Sequence, residues 1–135
     1  MTLRHLHPWP EPAALDDDGF QAAQDPALVL EAVREVLQGV FPTVTERCLF
    51  EAERGNQAVS WARQCGMYLM AGPLAVNVSQ TARSWRLDRA TVLHAVRLVQ
   101  RECAERPATC QFISFLEAQT IASLGRLHLH RNEAA

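Results

Sequence analysis

Residues 86–102, RLDRATVLHAVRLVQRE, gather the side chains of this sequence best suited to recognising another molecule. Arg86, Arg89, Arg97 and Arg101 carry planar guanidinium forks, which donate paired hydrogen bonds to a phosphate or to O6 and N7 of guanine. Asp88 and Thr91 add short oxygen groups that can meet base edges, and His94 adds a ring that titrates near neutrality. His94 has no carboxylate or nucleophile partner evident in the sequence. The set therefore reads as a binding surface, and no enzymatic activity is expected of it.

Other chemistry is sparse. Cys48, Cys65, Cys103 and Cys110 make neither a C-x-x-C pair nor a zinc pattern with nearby histidines. They are expected as buried free thiols, with a thiol sensor at Cys65 or Cys103 as the alternative. His5 and His7 lie in a segment that would have to be ordered before it could chelate, so no metal is expected. All thirteen basic residues are arginine. Without a lysine there is no Walker A phosphate loop, so no nucleotide and no cofactor is expected. No apolar run suits a signal peptide or a membrane span, which points to a cytoplasmic chain with no membrane partner.

The net charge of −2 hides a segregation along the chain. Residues 1–53 hold ten acids against Arg4, Arg34 and Arg47. Residues 54–101 hold seven arginines (54, 63, 83, 86, 89, 97 and 101) against Asp88 alone, a net +6. A basic block of that density is the footprint of phosphate contact.

These residues need rigid elements to position them, and the pattern supplies helices. Residues 1–24 mix prolines with an acidic run and read as an irregular acidic arm. Asp25-Pro26 caps a helix to about residue 40. Thr43 and Glu46 offer a capping box for a short helix ending near Gly55, and Asn56 can cap a third through Met70 that buries Val59, Ala62, Gly66 and Leu69. Asn77 with Gln80 opens a helix over 78–85, RLD makes a turn, and Asp88 caps a helix over 89–104. A last helix near 108–125 is expected to bury Phe112, Phe115, Leu116, Ile121 and Leu124. No stretch alternates long enough for a strand. The expected fold is all-α, about six helices over 25–125, with a helix-turn-helix core at 77–104 and a C-terminal tail at 126–135.

On the 89–104 helix, Val92, Ala95, Val96, Val99 and Cys103 share an arc of about 100°. Ala90, His94, Arg97 and Arg101 lie opposite, with Arg89 and Leu93 on one shoulder and Thr91 on the other. A short helix, a tight turn and a longer helix with basic and hydroxyl groups in its first turns is the plan of a helix-turn-helix.

The segments ARQCGMYL (62–69), NVSQTARSW (77–85) and DRATVLHAVRLV (88–99) resemble the C-terminal DNA-binding domain of the replication initiator DnaA. That domain reads roughly A-R-Q-x-A-M-Y-L, then S-L-P-E-I-G-x-x-F, then G-G-R-D-H-T-T-V-x-H-A. The spacing from Tyr68 to Trp85 matches without a gap, and Trp85 takes the aromatic position. The resemblance covers about residues 56–104 and implies that Asp88, Arg89, Ala90, Thr91 and Leu93 stand at major-groove positions. The sequence departs from the pattern in a turn one residue shorter, in Arg89 for a histidine and in Ala90 for a threonine. The loop that sends an arginine into the minor groove is here EAERGNQ, with Arg54 its only candidate. The resemblance does not extend to the ATPase domain. With these departures the sequence looks closer to short stand-alone proteins of alphaproteobacterial type that carry this helix-turn-helix.

The expected function is therefore sequence-specific binding of double-stranded DNA, as a transcriptional regulator or replication-linked factor. Its candidate site comprises Arg54, Arg63, Arg83, Arg86, Asp88, Arg89, Ala90, Thr91, Leu93, His94 and Arg97. The alternative is a protein–protein interaction module that kept the fold and lost tight DNA binding. A homodimer through the first or the final helix is also expected, because the last segment holds more apolar residues than one face needs.

Overall fold

A computed structural model describes residues 25–50 and 57–134, and among them the chain is all-α, as expected. Six helices follow in order: α1 Pro26–Val40, α2 Glu46–Phe50, α3 Gln57–Ala71, α4 Val78–Trp85, α5 Arg89–Glu105 and α6 Pro107–Ala134. The acidic arm at 1–24, with His5 and His7, lies outside the described residues, as do Arg54 and Asn56.

Local chemistry sets most of the boundaries. Asp25 accepts the Ala27 N–H at 3.0 Å and Pro26 fills the first helical position of α1. The expected cap of α2 is displaced. Pro42 and Thr43 form a turn closed by the Val44 N–H on the Phe41 carbonyl, and Val44 is buried. A helix beginning at Thr43 would pull Val44 out of the core, so Thr45 caps instead, its Oγ1 accepting the Cys48 N–H at 3.2 Å. Asn77 Oδ1 accepts the Gln80 N–H at 2.8 Å. The reciprocal half of that capping box does not form: Gln80 Oε1 is buried with no hydrogen-bond partner among the described residues.

α6 departs most from expectation. It runs through Ala134 instead of ending near 125. α6 lies along α1 in antiparallel sense, fixed at three levels, the last of them in the extra length. Phe112 meets Phe41 edge-on at 5.9 Å between centroids, Ser123 donates to Glu35 Oε1 at 2.6 Å, and Arg131 pairs with Asp25 at 3.0 Å. Leu116 and Leu124 are buried as expected and Phe112 is half-buried, but Phe115 and Ile121 are exposed. Thr120 and Ser123 take the core positions instead. Each satisfies its hydroxyl there, Thr120 on the Leu116 carbonyl at 2.7 Å and Ser123 on Glu35, so burial leaves no orphan donor.

One core joins all six helices, with Trp85 among its largest buried side chains. Its indole stacks on Phe50 at 5.1 Å and donates through Nε1 to Met70 Sδ at 3.3 Å. The indole fixes α4 against α3, and so fixes where the turn to α5 begins. Cys65, Cys103 and Cys110 are buried free thiols and Cys48 is half-buried. Desolvation pushes the Cys103 thiol up to about 11 and the Cys65 thiol higher still. Thiols held protonated in this way are poor nucleophiles, which removes the basis for a sensor at either position.

Candidate nucleic-acid interface

The turn between α4 and α5 is three residues, Arg86 to Asp88. Arg86 adopts the left-handed conformation (φ 57°, ψ 42°), and its N–H reaches the carbonyls of Ala82 and Arg83 while the Leu87 N–H reaches Ala82. This pair of bonds is the Schellman closure, which ordinarily falls to glycine because a Cβ is penalised there. Replacing Arg86 by glycine should remove a cost of about 1 kcal/mol and raise the melting temperature by about 3–5 °C. A thermal melt of Arg86→Gly lower than the parent would show that the side chain contributes more than its backbone costs.

Asp88 then starts α5. Its Oδ1 accepts both the backbone N–H and the hydroxyl of Thr91, each at 2.7 Å. The Thr91 hydroxyl, with the N–H second, holds the carboxyl below its ordinary value. Asp88 is thus an anionic cap at the positive end of the helix, as its position predicted.

Beyond the cap, the two faces of α5 separate cleanly. Val92, Ala95, Val96, Val99 and Cys103 are buried, while Arg89, Ala90, Thr91, His94, Arg97 and Arg101 are exposed. From Arg89 to Arg101 the exposed ridge spans roughly 18 Å at 1.5 Å per residue. Arg83 at the end of α4 and Arg86 in the turn are exposed beside its N-terminal end. The structure therefore brings together Arg83, Arg86, Asp88, Arg89, Ala90, Thr91, His94 and Arg97.

Two candidates have other occupations. Leu93 is half-buried and packs on the core, leaving only part of its side chain for contact. Arg63 donates to the carbonyls of Leu49 at 3.0 Å and Cys48 at 2.8 Å, tying α3 to the last turn of α2. Leu87 joins the surface without having been singled out, and Arg101, named with the arginines of this helix but left out of the candidate site, joins it too. Arg101 shares a face with Arg97 at i+4, a visible signal. Leu87, 37% exposed, is an apolar residue left in a turn between helices.

No helix among the described residues is long and apolar enough to cross a membrane, and none of their His, Cys, Asp and Glu side chains cluster in threes to hold a metal ion. Against known proteins, no family model matches the chain and no curated protein matches it.

Proposed function

We propose that this chain is a cytoplasmic, sequence-specific binder of double-stranded DNA, a transcriptional regulator or replication-linked factor. In this reading α4 braces on the phosphate backbone and α5 enters the major groove by its N-terminal end. The observation that carries it is the exposed ridge of α5, cationic and hydroxyl-bearing, set against a fully apolar buried face and flanked by Arg83 and Arg86. The resemblance to the DnaA DNA-binding domain supports it through a paired change. The pattern's alanine becomes Gly66 where its phenylalanine becomes Trp85, and these two residues are in contact. A larger ring set against a smaller neighbour leaves the combined side-chain volume at that contact nearly unchanged.

Selection from random duplex DNA tests the reading. Recovery of one sequence motif is expected; recovery of none would sink it. A protein-interaction module is the second reading, favoured by the withdrawal of Arg63 from the surface.

Arg89 should read sequence while Arg101 holds phosphate. Arg89 is in the first turn of α5, where a bidentate contact to guanine discriminates by about 1–3 kcal/mol. Arg101 lies three turns further along. Arg89→Ala should therefore lose preference at one base pair, and Arg101→Ala should weaken all duplexes alike. Binding of both variants to the selected site and a scrambled duplex decides it. Equal weakening of both duplexes by Arg89→Ala would make that residue one more phosphate contact.

A further inference from the structure

α6 presents apolar residues on two opposite faces. One, through Ile113, Leu116 and Leu124, is buried against the body. The other carries Phe115, Ile121 and Leu129 at 49, 52 and 65% exposure, with Ala118, Ala122 and Gly125 exposed among them. Only Leu87, of the large hydrophobic residues exposed in the described structure, lies elsewhere. Phe115, Ala118, Ala122, Gly125 and Leu129 follow alternating steps of three and four, the a and d spacing of a helix that packs along another helix. The face is open: a Cβ placed on Gly125 meets no atom within 4 Å.

We propose that this face is a homodimer interface, in which α6 of a second copy packs antiparallel on α6 about a two-fold axis. The order of large and small residues along the face selects that partner. Centred near residue 120, the antiparallel pairing sets Phe115 of each copy against Gly125 of the other, and Ala118 against Ala122. The bulky end of the face fits its own small end, as an isologous contact requires. The seam positions Phe115, Ala118, Ala122 and Gly125 carry no charge, and Arg126 beside them is turned to Glu35 of α1 at 3.2 Å. A parallel pair would instead set Phe115 against Phe115 and Gly125 against Gly125, crowding one end and leaving the other unfilled.

The area sets the strength. Three half-exposed large side chains offer a few hundred Å² per copy, short of the roughly 800 Å² per partner of a stable interface. The dimer is accordingly weak in free solution, and linkage of two copies on adjacent DNA half-sites would reinforce it. None of the candidate DNA-contacting residues belongs to this face.

Sedimentation equilibrium of the full chain without DNA, from about 1 to about 300 µM, tests the proposal. The mass should rise from one chain towards two, with a midpoint in the tens of micromolar. Ala122→Arg puts a strong helix former at an exposed position on the seam, so it should keep the parent's circular dichroism and remain monomeric. A parent chain that stays monomeric to the top of the range overturns the proposal, and so does an Ala122→Arg variant that dimerises like the parent. Because no DNA is present, either result leaves the DNA-binding reading to its own test.

Discussion

Raising salt from about 50 to about 200 mM should weaken binding of the chain to its selected duplex by about 500-fold. The exposed surface of α4, the turn and α5 carries Arg83, Arg86, Arg89, Arg97 and Arg101. If each neutralises one phosphate and releases its counterions, log K falls against log salt with a slope of about −4.5. A titration by fluorescence anisotropy measures the slope directly. A value near zero would remove the electrostatic footprint and with it the main physical support for a DNA partner.

Gly66→Ala should cost about 2 kcal/mol and lower the melting temperature by about 6–10 °C, although alanine is the better helix former. The new Cβ would stand 2.5 Å from Trp85 Cζ2, 2.8 Å from Cη2 and 3.0 Å from Leu37 Cδ1. Trp85 cannot yield cheaply, because Phe50 stacks on it and Met70 accepts its indole N–H. The helix-propensity gain of up to about 1 kcal/mol only partly offsets that crowding. Trp85→Phe, introduced into the Gly66→Ala background, should recover much of the loss and so reveal a coupling above about 1 kcal/mol. Thermal melts of the two single variants and the double decide it. A Gly66→Ala protein as stable as the parent would mean that the indole has room the structure does not show.

The sequence made these elements legible to different degrees. Asp25-Pro26, Asn77 and Asp88 each carry their capping chemistry in one or two residues, so α1, α4 and α5 begin where expected. The buried stripe of α5 was equally plain, because nothing apolar larger than Ala90 competes with it on the opposite side. α6 failed for the complementary reason. Periodicity reports that Phe115 and Ile121 are apolar, not which face of the helix meets the body, and Thr120 and Ser123 looked too polar for the core they occupy. Their hydroxyls are satisfied by a carbonyl one turn back and by a glutamate 88 residues away. Arg63 was opaque too: its partners are 14 and 15 residues distant and are backbone carbonyls, which no side-chain pattern announces. The N-terminal end of α5 was the most readable part of the candidate site, and the loop holding Arg54 lies outside the described residues.

The bond from the Thr91 hydroxyl to Asp88 has a directional consequence. With its only proton aimed back at the carboxylate, the oxygen offers lone pairs alone to anything approaching from outside. In the major groove only the exocyclic amines, N6 of adenine and N4 of cytosine, could satisfy it. Guanine presents acceptors there and thymine a carbonyl, so both would meet this oxygen as one acceptor meets another. Asp88 would in this way decide the polarity of any contact its neighbour makes.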